Sequence, residues 1–592
     1  MTLRPIELRL SCGLAVSAWL GLCAAAFAQE PSAALKQADA DYRAGTAALA
    51  RNDLNAALAD FENVVKLAPS AEQGHSALGA VLVRLGKTST GIHELDKALA
   101  MKPGDESAQI NLALAYEQTG QAAKALPLFN KLESAAQAAK RPLALSILAP
   151  YARALAATGQ FPAAVTKMKQ AVAADPRNAE LQDELGSLYA QRQDWPNAEQ
   201  AFSAAVALHP DYAVAHLHLG LARKAEQKAG AMEEMAKAYQ LAPENARIAT
   251  EYGRALADAG QDEQAIPLLE HAVKADPTFA SASYQLGLVL QRANRLQEAL
   301  PLLEKAAAAE PENAEVLTNL GMALCQLQRA KDAVPILQHA VKLTPGNSTA
   351  HQDLAAAFLQ LNQVEDAVDQ LRAALKLSPD APQLHYNLGL ALKMQDDAAG
   401  AIPELEAAQK LDAAAPEPPY ILGVLYMQVG RYADAARELN ASLKLRPENG
   451  EGWATLGSVY SKLDQLPEAV SALREAIRQL PQQPDPHLTL AAVLVKQNQP
   501  AEATEERRKA ADLMRGNMNR QRAEVATNAA NSQMKNGNLD DAIAQFREAL
   551  SYDANYAEAH LGLASALERE GKTSEAAEER RKAADQGKTA PQ

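Results

Sequence analysis

The sequence predicts an all-α protein, an α-solenoid of about 16 stacked helical hairpins. Three observations predict it: a unit of about 34 residues recurs, two positions of each unit stay small, and aromatic residues make up only 4% of the chain although 48% is hydrophobic. This composition suits many small helix contacts better than one bulky core. A chain of 592 residues is also too long for a single ordinary core, which favours a repeat array.

The clearest copy of the unit occupies residues 450–483. In its first half, apolar or small residues are spaced i, i+3, i+4 and i+7, so they share one face of a helix. They are Trp453, Leu456, Gly457 and Tyr460. A second stripe follows a short turn and consists of Ala469, Leu473, Ala476 and Leu480. Pro481 then ends the helix because proline lacks a backbone N–H, so the unit is a helical hairpin.

This spacing resembles the tetratricopeptide repeat, whose pattern is W-x2-L-G-x2-Y, then A-x3-F, then P. Leu473 stands where that pattern has Phe. The units begin at Ala38, Glu72, Glu106, Leu145, Ala179, Ala213, Ala246, Ala280, Ala314, Ser348, Pro382, Pro416, Gly450, Pro484, Ala523 and Ala557. The eighth position is Gly or Ala in all sixteen. The twentieth is Ala except at Gly91, provided that the unit from Ala213 is one residue shorter and places Ala231 there. The resemblance implies a right-handed superhelix whose concave side is lined mainly by the first helix of each hairpin.

Residues 1–28 are predicted to be a signal peptide. Two arginines precede an apolar run, and the last three residues give the small-x-small pattern that favours cleavage after Ala28. An uncleaved anchor is one alternative, since the run is nearly long enough to span a bilayer. A lipoprotein anchored at Cys23 is another, although Leu22 before it is bulky. We expect an exported chain, periplasmic or secreted, with no membrane span after signal cleavage.

The spacing of the repeat units divides the rest of the chain into four segments. The predicted segments are a lead-in at 29–37, the main repeat array at 38–517, a linker or helix extension at 518–522, and a C-terminal repeat pair at 523–590. Five extra residues at 140–144 predict a longer loop. Arg507 and Arg580 occupy the twenty-fourth position, where most units carry Phe, Leu or Met. A charged residue there suits the capped end of a solenoid, or a continuous array whose arginines reach solvent.

No cofactor, metal or catalytic site is predicted. Phosphate loops, zinc-spaced cysteine pairs and nucleophile elbows are absent from the sequence, and no segment outside the repeats could house a catalytic domain. A net charge of −14 argues against nucleic acid. Cys325, the only cysteine after the signal, is interpreted as packing, with a reactive thiol as the alternative.

Six histidines recur at the fourth position of their units. They are His75, His216, His351, His385, His487 and His560. Successive copies lie a repeat or more apart, whereas ligands of one metal ion must converge on it. Packing is therefore favoured over a metal ladder. His216 and His218 are two residues apart and should point to different sides of their helix.

The remaining functional signal is a groove. In the family that the chain resembles, the second, fifth, ninth, twelfth and thirteenth positions of the first helix tend to face the concave side. Carried over, they indicate a partner groove that contains Tyr284, Met322, Tyr386, Leu390, Tyr420, Val424 and Met427. Aromatic and sulfur side chains suit the binding of a peptide or helix. The alternative is that the tyrosines only cover the next repeat.

We therefore predict a non-catalytic scaffold of the cell envelope that binds protein partners along its concave groove. Two other classes of function stay open. One is an accessory factor in envelope polysaccharide synthesis or secretion, because tyrosine also stacks on sugars. The other is a structural protein that assembles with itself through the exposed ends of its solenoid.

Overall fold

The computed structural model describes residues 33–587, so the predicted signal peptide at 1–28 lies outside the described residues. The described residues form 31 helices and no strand. None of these helices is both long and apolar enough to span a membrane. The chain divides into two compact units, Met1–Ala309 and Glu310–Gln592.

In the first unit, consecutive helices pair as antiparallel hairpins that pack against the next hairpin. Its helices are α1 Ala33–Ala50, α2 Leu54–Leu67, α3 Glu72–Arg84, α4 Thr88–Met101, α5 Glu106–Gln118, α6 Ala122–Ala138, α7 Leu145–Ala157, α8 Phe161–Ala174, α9 Ala179–Ala190, α10 Trp195–Leu208, α11 Ala213–Ala225, α12 Ala231–Leu241, α13 Ala246–Asp258, α14 Asp262–Ala275, α15 Ala280–Arg292 and α16 Leu296–Ala309. The helix α1 begins five residues before the predicted first unit, since residues 33–37 contain no proline or turn residue to stop it. The extra residues 140–144 lie in the loop between α6 and α7.

The second unit continues the same hairpins. Its helices are α17 Ala314–Gln326, α18 Ala330–Leu343, α19 Ser348–Gln360, α20 Val364–Leu377, α21 Pro382–Met394, α22 Ala398–Leu411, α23 Glu417–Gln428, α24 Tyr432–Leu445, α25 Gly450–Lys462, α26 Leu466–Gln479, α27 Pro484–Lys496, α28 Pro500–Asn536, α29 Leu539–Tyr552, α30 Ala557–Arg569 and α31 Thr573–Gly587. The α-solenoid predicted from the repeat is confirmed.

The two small positions of each hairpin lie where its helices meet. A Cβ added to Gly457 would stand 2.5 Å from Leu473 Cγ and 3.3 Å from the carbonyl oxygen of Ala469. In the shortened unit, a Cβ on Gly220 would stand 2.9 Å from the carbonyl oxygen of Ala231. Only glycine, or alanine with some adjustment, permits this approach, and the predicted register is confirmed.

A third fixed position lies at the turn within each hairpin. The fifteenth residue of every unit has a positive φ between 55° and 87°. Seven are glycines, and the other nine are Asn52, Gln193, Gln227, Asn294, Gln328, Asn362, Asp396, Asp464 and Asn498. This left-handed residue ends the first helix and turns the chain into the second.

The helix α28 departs from the pattern. Elsewhere a turn separates the second helix of one repeat from the first helix of the next, but α28 runs unbroken through residues 518–522 and serves as both. Repeats on either side have separate apolar cores, one around Leu473 and Leu490 and the other around Phe546 and Leu563. Arg507 and Arg580 are both exposed.

Candidate partner-binding groove

The predicted groove residues lie on first helices of their hairpins. Tyr386 and Leu390 are one turn apart on α21, and Tyr420, Val424 and Met427 share one face of α23. Met322 lies on α17 of the same unit. Tyr284 lies on α15 in the first unit and is only 8% exposed, so little of its ring is available. The other six residues are half-buried.

The two half-buried tyrosines reach toward the next repeat. Burial and the nearby carboxylate of Glu417 raise the pKa of Tyr386. Burial and Glu451 likewise raise the pKa of Tyr420, although a hydrogen bond with Thr455 opposes that shift. Each tyrosine therefore feels the charge of a glutamate at the second position of the following repeat. Both side chains are half-buried, so part of each stays in solvent.

Further apolar residues continue this surface beyond those predicted. Met394 is 53% exposed, Leu488 39% and Val495 48%, and all three occupy groove positions of α21 or α27. The helix α23 packs against α25, and α25 packs against α27. We call the groove positions of α21, α23, α25 and α27 the open face.

One edge of the open face is basic. Lys393 occupies the twelfth position of its repeat, and Lys462 and Lys496 occupy the thirteenth. Nζ of Lys496 donates to the carbonyl oxygen of Ser461 at 3.1 Å, which places it beside Lys462. Within residues 33–587, none of the three ammonium groups is in an ion pair.

The other edge is acidic, and two of its three carboxylates accept a hydrogen bond. It is formed by Glu417, Glu451 and Asp485 at the second position of their repeats. Arg446 donates to Glu417 at 2.5 Å, and Gln483 donates to Glu451 at 2.8 Å.

Groove positions in the first unit, together with the sixth position of α9, carry paired charges. Arg153 on α7 bonds Glu117 on α5 at 2.8 Å and Glu184 on α9 at 3.1 Å. Burial raises the pKa of Glu184 in spite of this partner. Lys224 on α11 bonds Asp258 on α13 at 2.6 Å. We call these positions of α5, α7, α9, α11 and α13 the ion-paired face.

Comparison of the chain with models of protein families shows which family it belongs to. The tetratricopeptide repeat models match 76–140, 152–213, 284–348, 420–484 and 527–591, which is more than half of the chain. A further tetratricopeptide repeat model matches 222–286, and a TPR repeat model matches 355–396. The chain belongs to the tetratricopeptide repeat family. A search of curated proteins gives no match.

Solved structures of other tetratricopeptide repeat proteins resemble parts of the chain. YrrB, described as a TPR protein with an unusual peptide-binding site, is 24% identical over 34% of this chain and 99% of its own, with a TM-score of 0.29. MamA from Desulfovibrio magneticus RS-1 is 21% identical over 28% and 96%, with a TM-score of 0.27. The APC/C hetero-tetramer Cut9-Hcn1 is 15% identical over 90% and 97%, with a TM-score of 0.35.

The six recurring histidines of the tetratricopeptide repeats form clamps between elements. Nδ1 of His75 lies 2.5 Å from Glu94 on the second helix of its own hairpin, and its Nε2 donates to the carbonyl oxygen of Pro69 at 3.0 Å. The other five histidines pair in the same way with Glu234, Gln370, Glu404, Glu506 and Glu579. Each clamp ties two helices of one repeat, and most also tie the proline that ends the repeat before.

These clamps agree with packing. Among the described residues, no three His, Cys, Asp or Glu side chains come together in a group that could hold a metal ion. The indole N–H of Trp453 donates to Pro447 at 2.8 Å in the same position. His216 bonds Glu234, whereas His218 bonds Asp183 on α9, so the two histidines do point to different sides. The sequence carried a signal that we missed, because each histidine is followed by Glu or Gln 18 or 19 residues later.

Cys325 is buried in its tetratricopeptide repeat at 6% exposure. Burial, together with the charge of Asp353, raises the pKa of its thiol to about 11. Burial also raises the pKa of Asp353 to about 7, and its Oδ2 has no hydrogen-bond partner in the described part of the chain. The thiol therefore stays protonated at neutral pH, which supports packing over reactivity.

A surface depression of about 680 Å³ lies away from the open face. It is formed where α17 begins and α18 ends, and its lining includes Glu310, Glu312, Glu315 and Thr344. None of the predicted groove residues lines it.

Proposed function

We propose that this tetratricopeptide repeat protein is a non-catalytic scaffold of the cell envelope, periplasmic or secreted, that binds segments of partner proteins along its second unit. The binding face has Tyr386, Leu390, Tyr420, Val424 and Met427 at its centre. Membership of the tetratricopeptide repeat family supports a scaffold in general. The open face is the surface on which we expect the partner segment to bind.

One observation carries the proposal. The open face keeps aromatic, aliphatic and sulfur side chains half-exposed on neighbouring rigid helices, with no ion pair among its three lysines and the described carboxylates. Such side chains supply much contact area for little conformational entropy or adapt to their partner. Because the helices are preformed, the bound segment bears most of the ordering cost.

The test is in-cell crosslinking followed by affinity purification and mass spectrometry. Wild type is compared with a variant that carries Tyr386→Ala, Tyr420→Ala and Met427→Ala. We expect partner proteins that are recovered with wild type to be lost from this variant. A matched control removes three exposed leucines at the thirtieth position of neighbouring repeats, Leu377→Ala, Leu411→Ala and Leu445→Ala, and should keep the partners.

Equal recovery from all three proteins would contradict this binding face. Recovery of the protein alone, together with a gel-filtration volume that depends on concentration, would favour self-assembly.

A separate experiment tests the proposed export of the protein. We expect N-terminal sequencing of the protein from a periplasmic or culture-medium fraction to begin at Gln29, directly after the predicted cleavage site. An intact Met1 in the cytoplasmic fraction alone would contradict the proposed location.

A further inference from the structure

Three rows of side chains run side by side across the first helices of the open face. The acidic row holds Glu417, Glu451 and Asp485 at the second positions. The apolar row occupies the fifth and ninth positions from Tyr386 on α21 to Leu488 on α27, although α25 contributes only Ala454 and the polar Ser458. The basic row holds Lys393, Lys462 and Lys496. Positions 2, 5, 9 and 12 or 13 follow one face of a helix, so the rows keep this order on every helix.

The charges of the two edge rows are not equally available. Arg446 and Gln483 already donate to Glu417 and Glu451. In contrast, no described carboxylate pairs with the three lysines, and Lys462 and Lys496 are exposed. Lys496 donates only to neutral oxygens of Ser461, the backbone carbonyl at 3.1 Å and the hydroxyl at 3.4 Å. Glu417 is ion-paired, Glu451 accepts only from a neutral amide, and Asp485 has no ion pair among the described residues, so the three unpaired lysines outnumber the two carboxylates without an ionic partner.

We propose that the open face selects a partner segment with apolar side chains flanked on one side by carboxylates, an inference that rests on the binding face proposed above. The apolar side chains lie on the apolar row, whose largest members are Tyr386 and Tyr420. The carboxylates pair with Lys393, Lys462 and Lys496, none of which has an ionic partner among the described residues. A basic segment is disfavoured because it would bring like charges to the lysine row.

The distance between neighbouring first helices sets the distance between the carboxylates along the bound segment. Packed helix axes lie about 8 to 10 Å apart, and an extended chain advances about 3.3 Å per residue. Lysines on successive helices, such as Lys462 and Lys496, therefore meet carboxylates about three residues apart. Lys393 lies two helices before Lys462, so the full row spans about nine residues of an extended segment.

The experiment is a selection from a displayed library of random peptides of about 12 residues against the full chain. We expect the selected peptides to be acidic and apolar. A synthetic copy of the best peptide with every Glu and Asp replaced by Gln and Asn should bind about tenfold more weakly. Binding of the acidic peptide should also weaken with salt, because the lysines are at the surface.

Two variants with the same change of net charge separate the lysine row from charge in general. The first carries Lys393→Glu, Lys462→Glu and Lys496→Glu, and should bind the acidic peptide about tenfold or more weakly. The second carries Lys376→Glu, Lys410→Glu and Lys444→Glu, three exposed lysines at the twenty-ninth position of second helices, and should bind it like wild type.

The other outcomes each overturn a different statement. Neutral or basic peptides that depend on Tyr386, Tyr420 and Met427 would overturn the acidic partner and leave the binding face in place. Peptides that are indifferent to both the lysine and the tyrosine substitutions would overturn the acidic partner and the binding face together. Equal loss in both charge variants would show general electrostatic attraction and would also overturn the inference.

Discussion

The ion-paired face and the open face are built on the same hairpin but use their groove positions differently. On the ion-paired face, Arg153 bridges Glu117 and Glu184 across three successive first helices. On the open face, the twelfth and thirteenth positions carry lysines without an ionic partner among the described residues. The first face satisfies its charges internally, whereas the second leaves both charge and apolar surface to solvent.

This difference indicates that the helix register and the character of the groove surface are specified by separate positions. The eighth, fifteenth and twentieth positions set the hairpin in both units. The groove positions are free to vary, and they decide whether first helices are joined to one another or left available to another molecule. A solenoid can thus hold a structural segment and a binding segment without any change of fold.

The largest expected effect tests the packing within each hairpin, which the two units share. Gly186→Leu and Gly389→Leu should each destabilise their unit by about 3 kcal/mol, since an added Cβ would already stand 2.6 Å from Phe202 Cδ1 or Leu405 Cγ. Hydrogen exchange measured by mass spectrometry should show lost protection around the substituted hairpin. Gly346→Ala, with no atom within 4 Å of the added Cβ, is the control. A strong effect in only one unit would mean that the close packing at the eighth position differs between the two units.

The next effect separates the two faces. Arg153→Leu leaves Glu117 and Glu184 without their shared partner and should cost about 2 kcal/mol in the free energy of unfolding. Lys393→Leu removes a charge that pairs with nothing described, so its cost should stay under about 0.5 kcal/mol. Urea unfolding, followed by circular dichroism, gives both values. Similar losses in the free energy of unfolding at the two sites would contradict the distinction between the faces.

The smallest effect concerns the histidine clamps, which both units contain. Burial raises the pKa of Glu506, but hydrogen bonds from Lys509 and His487 outweigh it, so the pKa lies below its ordinary value of 4.5. The same holds for Glu94 and Glu579. The stability that these carboxylates contribute is present above pH 4.5 and is lost as the pH falls through the lower folded value.

Glu506→Gln should therefore reduce the loss of stability between about pH 5 and about pH 3, by about 1 kcal/mol or less. Thermal unfolding across that range measures it. The exposed Glu468→Gln is the control and should keep the acid dependence of wild type. A steeper acid dependence in Glu506→Gln would contradict the sign of the shift.

Much of the fold could be predicted because it depends on local rules. Small residues at the eighth and twentieth positions recur in every unit, and their spacing alone locates both helices and the shortened turn before Ala231. The end of the first helix was also readable, since Gly, Asn, Asp or Gln occupies every fifteenth position. Repeats contact mainly their neighbours, so a correct unit largely determines the array.

The groove was harder to predict because its properties depend on contacts between repeats. Position alone placed Tyr386 and Tyr420 on the groove side, but it also placed Tyr284 there, which the structure leaves only 8% exposed. The lysine row was missed for the same reason. An unpaired lysine and a paired one look alike in a sequence, and only the arrangement of neighbouring helices distinguishes Lys393 from Lys224.

The continuous helix α28 has a consequence for how the second unit unfolds. In a stack of repeats, cooperativity passes through the interface between neighbours. At α28 that interface is replaced by a single helix whose residues 514–518 are all exposed, with separate cores on either side. Opening of the C-terminal pair at 523–585 therefore need not weaken the repeat that contains Leu490 and Lys496. We expect the two cores to open separately, so that the repeats of the open face keep their own melting behaviour.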